Sequence, residues 1–260
     1  MNEMMKKIGG IMFATQLGEA LKGAANSVTG AGDVAIPLIE PVRAILIPEN
    51  VLRYAEGLNI PFTEVLHYLA LRESAAARLF VHNSWLREAI IESVRTYSAG
   101  IHVDIAKVQG DFEQLSGDPQ AINEAIQNGL FAPEESDAQR SALKKLELMV
   151  ALIEGWIDEI SAQAAGAQLP NIQSLREMSR RRRATEGPLQ KIFASLIGLE
   201  VSPRLSRDAA NFFRIQGDLH GIEYRDGLWE SLGTLPLAEE LAAPENFRAG
   251  RSAPDDLSAL

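Results

Sequence analysis

The stretch Asp137-Ala-Gln-Arg-Ser-Ala-Leu-Lys-Lys-Leu-Glu-Leu-Met-Val-Ala-Leu-Ile-Glu-Gly-Trp-Ile-Asp-Glu-Ile-Ser-Ala-Gln-Ala-Ala165 decides the fold class. Its apolar residues recur at helical spacing, with Leu143, Leu146, Val150, Ile153, Ile157 and Ile160 forming one stripe. A helix of that length needs other helices to cover it. Working outward, Ser84 precedes an amphipathic run to Ala99 that Gly100 ends. Asp118-Pro119 opens a shorter run closed by Gly129, and Gly187-Pro188 opens another ending near Gly198. Strand-type alternation is missing apart from short apolar pieces such as Ala44 to Ile47. The expectation is an all-α fold: a single multi-helix bundle over residues 1–260, ordered from about 9 to 247, with a flexible tail at 248–260.

Looser segments are expected at Val28 to Pro48, at Phe131 to Ser136 and from Leu235 onward. In the last, Pro236, Pro244, Gly250 and Pro254 leave room for little beyond one short helix. Gly10, Ala14 and Gly18 recur one turn apart, which predicts close intramolecular helix packing, a homo-oligomer contact being the other reading.

Composition narrows the function. A net charge of −10 argues against general nucleic-acid binding, since phosphate neutralisation needs basic surface. The one dense basic cluster, Arg180 to Arg183, closes a helix, where cations complement the dipole and pair with carboxylates or an acidic partner surface. Cys is absent, which excludes disulfides, thiolate nucleophiles and Cys-ligated metals and fits a cytoplasmic protein. The apolar run at Ile11 to Ala14 is too short for a signal peptide, and no run approaches the roughly 18 residues of a membrane span. Ser74 has no neighbouring base to make it a nucleophile, and Gly30-Ala-Gly32 lacks the context of a phosphate-binding loop.

Two helices carry charges in the wrong place. On residues 65 to 82, Val65, Leu69, Ala76, Leu79 and Phe80 share an apolar arc; Arg72 falls inside it and Glu73 at its edge, about 40° beyond Leu69. On the long helix, Glu154 lies about 40° from Val150, within the apolar face, and Asp158 follows one turn later. A buried unpaired charge costs several kcal/mol, so the economical arrangement packs the two helices together and pairs Arg72 with Glu154 and Asp158. Taken singly, each has a plainer reading: Arg72 extends its head to solvent, and Glu154 sits at a helix edge.

The segment Leu71-Arg-Glu-Ser-Ala-Ala-Ala77 also has the outline of a zinc-protease helix. That site needs His-Glu-x-x-His, two imidazoles one turn apart gripping the metal and a glutamate polarising its water. Here Arg72 and Ala76 stand at the histidine positions and only Glu73 keeps its type.

Several motifs occur together and in order: Tyr68 to Phe80, Trp85-Leu86, Gly129-Leu-Phe-Ala-Pro133, Leu152-Ile-Glu-Gly-Trp-Ile-Asp158, Arg180-Arg-Arg-Arg-Ala-Thr-Glu-Gly-Pro188, Phe193 to Glu200 and Arg225-Asp-Gly-Leu-Trp229. With these the chain resembles, from about Gly9 to Phe247, a bacterial family of zinc-dependent metalloproteases, the zincin-like metallopeptidases of type 2, some of whose relatives are linked to coenzyme biosynthesis. The resemblance implies a zinc cofactor, a peptide or protein substrate, Glu73 as general base and Glu154 as a third metal ligand, with Asp158 beside it. Family members carry Arg or His at position 72 and His at position 76, so Ala76 departs from both branches. Members are also often longer at the N-terminus, and a shortened form is expected.

Zinc needs three protein ligands, and carboxylates alone make a weak site. His67 and His82 point away from the 72/76 axis, His102 belongs to another segment, and His220 reads as a helix-end residue. The expected function is therefore a degenerate, non-catalytic relative with Arg72 in the vacated site. The alternative is an active metallopeptidase built on Glu73 and a non-standard metal site including Glu154.

Overall fold

The computed structural model describes residues 2–100, 136–186 and 205–250. Eight α-helices occur there: α1 (Asn2–Ser27), α2 (Pro48–Ala55), α3 (Phe62–His82), α4 (Ser84–Ala99), α5 (Asp137–Ala165), α6 (Ile172–Glu186), α7 (Ser206–His220) and α8 (Ile222–Gly227). No strand is present among the described residues, only an isolated antiparallel bridge between Gly30 and Leu46. The fold is all-α, and no described helix is long and apolar enough to cross a membrane. The expected helices at 118–129 and 188–198, the loose segment 131–135 and the tail from 251 lie outside the described residues.

Helix α5 is the axis. Its start is fixed by a capping box: Ser136 Oγ accepts the Gln139 N–H at 3.2 Å, and Gln139 Oε1 accepts the Ser136 N–H at 2.9 Å. Gln139 also donates to the Tyr97 carbonyl at 3.2 Å, tying the end of α4 to the start of α5. From there α5 packs against α3, α4 and α7. The expected buried stripe widens into a fully enclosed segment, because every residue from Met149 to Glu159 is buried. A helix covered on all sides forces its charged residues, Glu154, Asp158 and Glu159, to find partners inside the protein.

Two apolar clusters result. The larger joins α3, α4, α5 and α7 through Leu79, Leu86, Ile90, Ile153, Phe212 and Trp229; the smaller joins α2, α3 and α6 through Val51, Val65, Tyr68, Leu69 and Leu175. On α3, Arg72 lies between Leu69 of one cluster and Ala76 of the other.

Two expectations are corrected. The segment after Leu235 is not loose: successive 3-10 turns at Ala238–Ala242 and Pro244–Asn246 bury Leu235, Leu241, Pro244 and Phe247. Phe247 packs edge to face on Phe212 at 5.0 Å, and Gln216 Nε2 donates to the Pro244 carbonyl at 2.6 Å. Apolar burial and one buried hydrogen bond order a stretch that its prolines made look irregular. The small residues Ala14 and Gly18 on α1 are exposed, and a Cβ at Gly18 would meet nothing within 4 Å, so these two do not form a close helix contact among the described residues.

A close approach that does need a glycine lies on α5. A Cβ on Gly155 would stand 2.5 Å from the Ala209 Cβ and 2.6 Å from the Ala210 nitrogen, so α7 crosses α5 nearly backbone to backbone. Gly155→Ala gains about 1 kcal/mol of helix propensity but forces this crossing apart. Overpacking of about 1–3 kcal/mol dominates, and the urea midpoint of the variant should fall.

Candidate functional site

The seam between the two clusters is filled by ionised side chains. Arg72 Nη2 donates to Glu154 Oε2 at 2.7 Å, and its Nη1 lies 3.7 Å from Asp158 Oδ1. Both partners are buried, as is Arg72, which also lies 5.9 Å over the Tyr68 ring. Helix α6 supplies the remaining cations at helical spacing. Arg176 reaches Asp158 at 2.8 Å and Glu159 at 3.3 Å, Arg180 reaches Asp158 at 2.6 Å, and Arg183 pairs with Glu154. Arg183 continues to Asp33 at 2.6 Å. Asp33 is fixed in turn by the backbone N–H and the hydroxyl of Thr29 at 2.8 and 3.0 Å.

This disposes of the basic run. Arg180 and Arg183 face inward to carboxylates, and Arg181 pairs at the surface with Glu177 at 3.0 Å. Arg182 donates to the Ser27 carbonyl and lies 4.6 Å over the Tyr54 ring. Arg72, Arg176, Arg180 and Arg183 thus meet Asp33, Glu154, Asp158 and Glu159 in one continuous lattice.

Glu73 points elsewhere. Its Oε1 accepts the Gly32 N–H at 3.0 Å and the Ile45 N–H at 3.3 Å, and its Oε2 shares the Gly32 N–H at 3.1 Å. The carboxylate thereby pins both limbs of the loop between α1 and α2, which are also paired by Ala31 N–H to the Ile45 carbonyl at 3.1 Å and Ile47 N–H to the Thr29 carbonyl at 2.9 Å. The fit is tight: a Cβ on Gly30 would fall 2.4 Å from Glu73 Oε2, and one on Gly32 would fall 2.7 Å from the Ala76 Cβ. Loop backbone therefore occupies the room into which a longer side chain at position 76 would project.

Two carboxyl groups are shifted in opposite senses. Burial raises Glu73, the two backbone N–H groups pull it back only partly, and Asp33 adds to the rise. Burial also pushes Asp158 upward, but the Arg176 hydrogen bond and the charges of Arg72, Arg176 and Arg180 outweigh it and hold this carboxyl below its usual value. A cavity of about 30 Å³ opens beside these groups, lined among others by Asp33, Tyr54, Arg72, Glu73 and Ser179. The Tyr68 hydroxyl is buried without a hydrogen-bond partner among the described residues.

Two packed helices, one carrying Arg72-Glu73 and the other Glu154 and Asp158 turned toward Arg72, place the residues of the zincin-like motif at one helix crossing of an all-α protein. The sequence pattern that defines the zincin-like metallopeptidases matches residues 1–247, and the chain belongs to that family. No curated protein and no solved structure matches it.

Family membership implies zinc, and the described residues do not fit it. Ala76 offers no donor atom and Arg72 brings a positive charge. Both Glu154 oxygens are taken by guanidinium groups. Asp158 Oδ1 accepts no hydrogen bond among the described residues but faces the Arg72 guanidinium, which would repel a cation. Among the described residues no group of three His, Asp or Glu stands together as a metal site requires. His67, His82 and His220 are exposed, His220 beside Tyr224 at 4.7 Å, and His102 lies outside the described residues. Asp33 and Arg176 escaped the sequence reading. The 176/180/183 spacing was available as a signal, whereas Asp33 sits in a loop without periodicity.

Arg72→Ala should lower stability by about 3 kcal/mol, at the weaker end for breaking a buried pair, because Glu154 keeps Arg183; urea unfolding measures it. The pH response follows from the signs. Asp158, depressed in the folded state, contributes stability present above its unfolded pKa of about 3.9 and lost as pH falls through the lower folded value. Glu73, raised on folding, works oppositely: its contribution is present below its unfolded pKa and lost as pH rises through the folded value. The urea midpoint should therefore fall on the acid side of about pH 4, and Asp158→Asn, though less stable at neutral pH, should show a shallower acid limb.

Proposed function

We propose that this chain is a non-catalytic member of its family, in which an arginine and carboxylate lattice stands in place of a metal centre and the fold serves binding or assembly. The observation that carries this reading is the double engagement of Glu154 by Arg72 and Arg183. A carboxylate that accepts charge-assisted bonds on both oxygens has little left with which to bind a cation. Arg72 supplies the positive charge that zinc would bring, without a Lewis-acidic centre or a water to polarise. Glu73, at the general-base position, accepts two backbone N–H groups instead of facing a water on a metal. A cytoplasmic setting accords with the absence of Cys.

One observation favours the alternative, an active hydrolase with Glu73 as base and Glu154 in a non-standard metal site. Burial raises the Glu73 carboxyl, the direction in which catalytic bases are tuned. That reading requires Glu73 to release Gly32 and Ile45, and Glu154 to release two arginines. The non-catalytic reading requires no rearrangement.

Protein purified without chelators should contain far less than stoichiometric zinc and keep its melting temperature in chelator. It should show no chelator-sensitive hydrolysis of a mixed peptide library. Stoichiometric zinc with chelator-sensitive cleavage lost in Glu73→Gln would establish the alternative.

A further inference from the structure

All three Trp residues of the chain converge about two turns further along α3, apart from the arginine lattice. Trp156 and Trp229 meet edge to face with centroids 6.4 Å apart, and Phe213 stacks on Trp229 at 5.6 Å. Trp85 Nε1 donates to the Trp229 carbonyl at 2.9 Å. Against this aromatic floor lies a cavity of about 160 Å³, lined by Arg78, Leu79, His82, Trp156, Asp226 and Trp229. Cavities of about 150 Å³ accept a benzene ring, so this one is sized for a single ring or branched side chain.

The polar groups around it have unused capacity. Arg78 and His82 are exposed, and their side chains make no ion pair or hydrogen bond among the described residues. Asp226 Oδ1 accepts from Trp156 Nε1 at 3.0 Å and from Arg225 Nε at 2.8 Å, while its Oδ2 accepts from no described group. The lining therefore offers a cationic donor in Arg78, an imidazole in His82, one free carboxylate oxygen and an apolar floor. A ligand that answers all three carries a carboxylate for Arg78 and His82, an N–H for Asp226 and an apolar side chain for the indoles and Leu79. Those three groups sit together on one carbon in an α-amino acid. A phosphate group would offer Asp226 mainly acceptor oxygens, a nucleotide is larger than a cavity sized for a single ring, and a simple amine would leave Arg78 unanswered.

We propose that this cavity binds an apolar amino-acid unit bearing a free α-carboxylate, either as a free amino acid or as the last residue of a peptide. The proposal stands apart from the reading of the arginine lattice, since no residue is shared between the two sites.

Because the three indoles gather at this one place, intrinsic fluorescence reports on occupancy. The full-length protein is titrated with leucine, N-acetyl-leucine and leucinamide, and each binding curve is checked by calorimetry. Leucine or N-acetyl-leucine should give a saturable change, and leucinamide, lacking the carboxylate, should bind roughly tenfold or more weakly. Preference for leucine assigns a free amino acid; equal or tighter N-acetyl-leucine assigns a peptide end. Arg78→Ala, at an exposed position without a partner, should keep its melting temperature and lose roughly tenfold or more in affinity. No saturable signal from either carboxylate, equal binding of leucinamide, or unchanged affinity in Arg78→Ala overturns the proposal.

Discussion

The negative charge of Glu154 sits in the middle of a helix segment that is covered on every side, and much of the surrounding arrangement answers it. An ionised carboxylate there is tolerable only with partners at hydrogen-bond distance, and α5 cannot turn the residue outward without exposing its neighbours Ile153 and Trp156. Two partners come from two different helices, Arg72 on α3 and Arg183 on α6. Once Arg183 is committed, Asp33 is drawn in to balance it, and Thr29 then fixes Asp33. A single charge on the central helix thus sets the rotation of two other helices and the path of a loop. Buried ion pairs of this kind add little net stability over apolar packing, but they penalise misplacement heavily. Here they lie where the two apolar clusters meet, a junction that apolar contacts alone would leave free to slide.

How much of this is legible in the sequence depends on periodicity. The all-α class and the bounds of α4 and α5 follow from apolar spacing, with Gly100 closing α4. The contact between Arg72 and Glu154 was readable because each residue breaks a regular helical pattern, and two complementary breaks point at each other. Arg176 breaks no apolar pattern, since α6 is polar on most of its surface, and only its helical spacing from Arg180 and Arg183 marks it. Asp33 and the Glu73 contacts belong to a loop whose course is set by backbone hydrogen bonds, and side-chain spacing carries no record of those. The segment after Leu235 was misjudged for a related reason. Pro and Gly mark the absence of regular helix, not the absence of burial, and Leu235, Leu241 and Phe247 are anchored by tertiary contacts that no local pattern announces.

The three residues at the zincin helix positions form a coupled set on the proposed reading. Arg72 neutralises Glu154, which removes the electrostatic call for a metal. Ala76 leaves room for the backbone at Gly32, and that backbone presents its N–H to Glu73. Glu73, buried but short of a countercharge, is held by dipoles alone, which accounts for a carboxyl that stays above its ordinary value beside a lattice where Asp158 lies below its own. Placing an imidazole at position 76 would therefore do more than add a donor atom. It would displace the loop, strip Glu73 of the N–H groups that satisfy it, and leave Arg72 still opposing any cation beside Glu154. An arrangement in which each change undoes the support of the next is one that single substitutions cannot convert into a metal centre, and its persistence rests on packing as much as on charge.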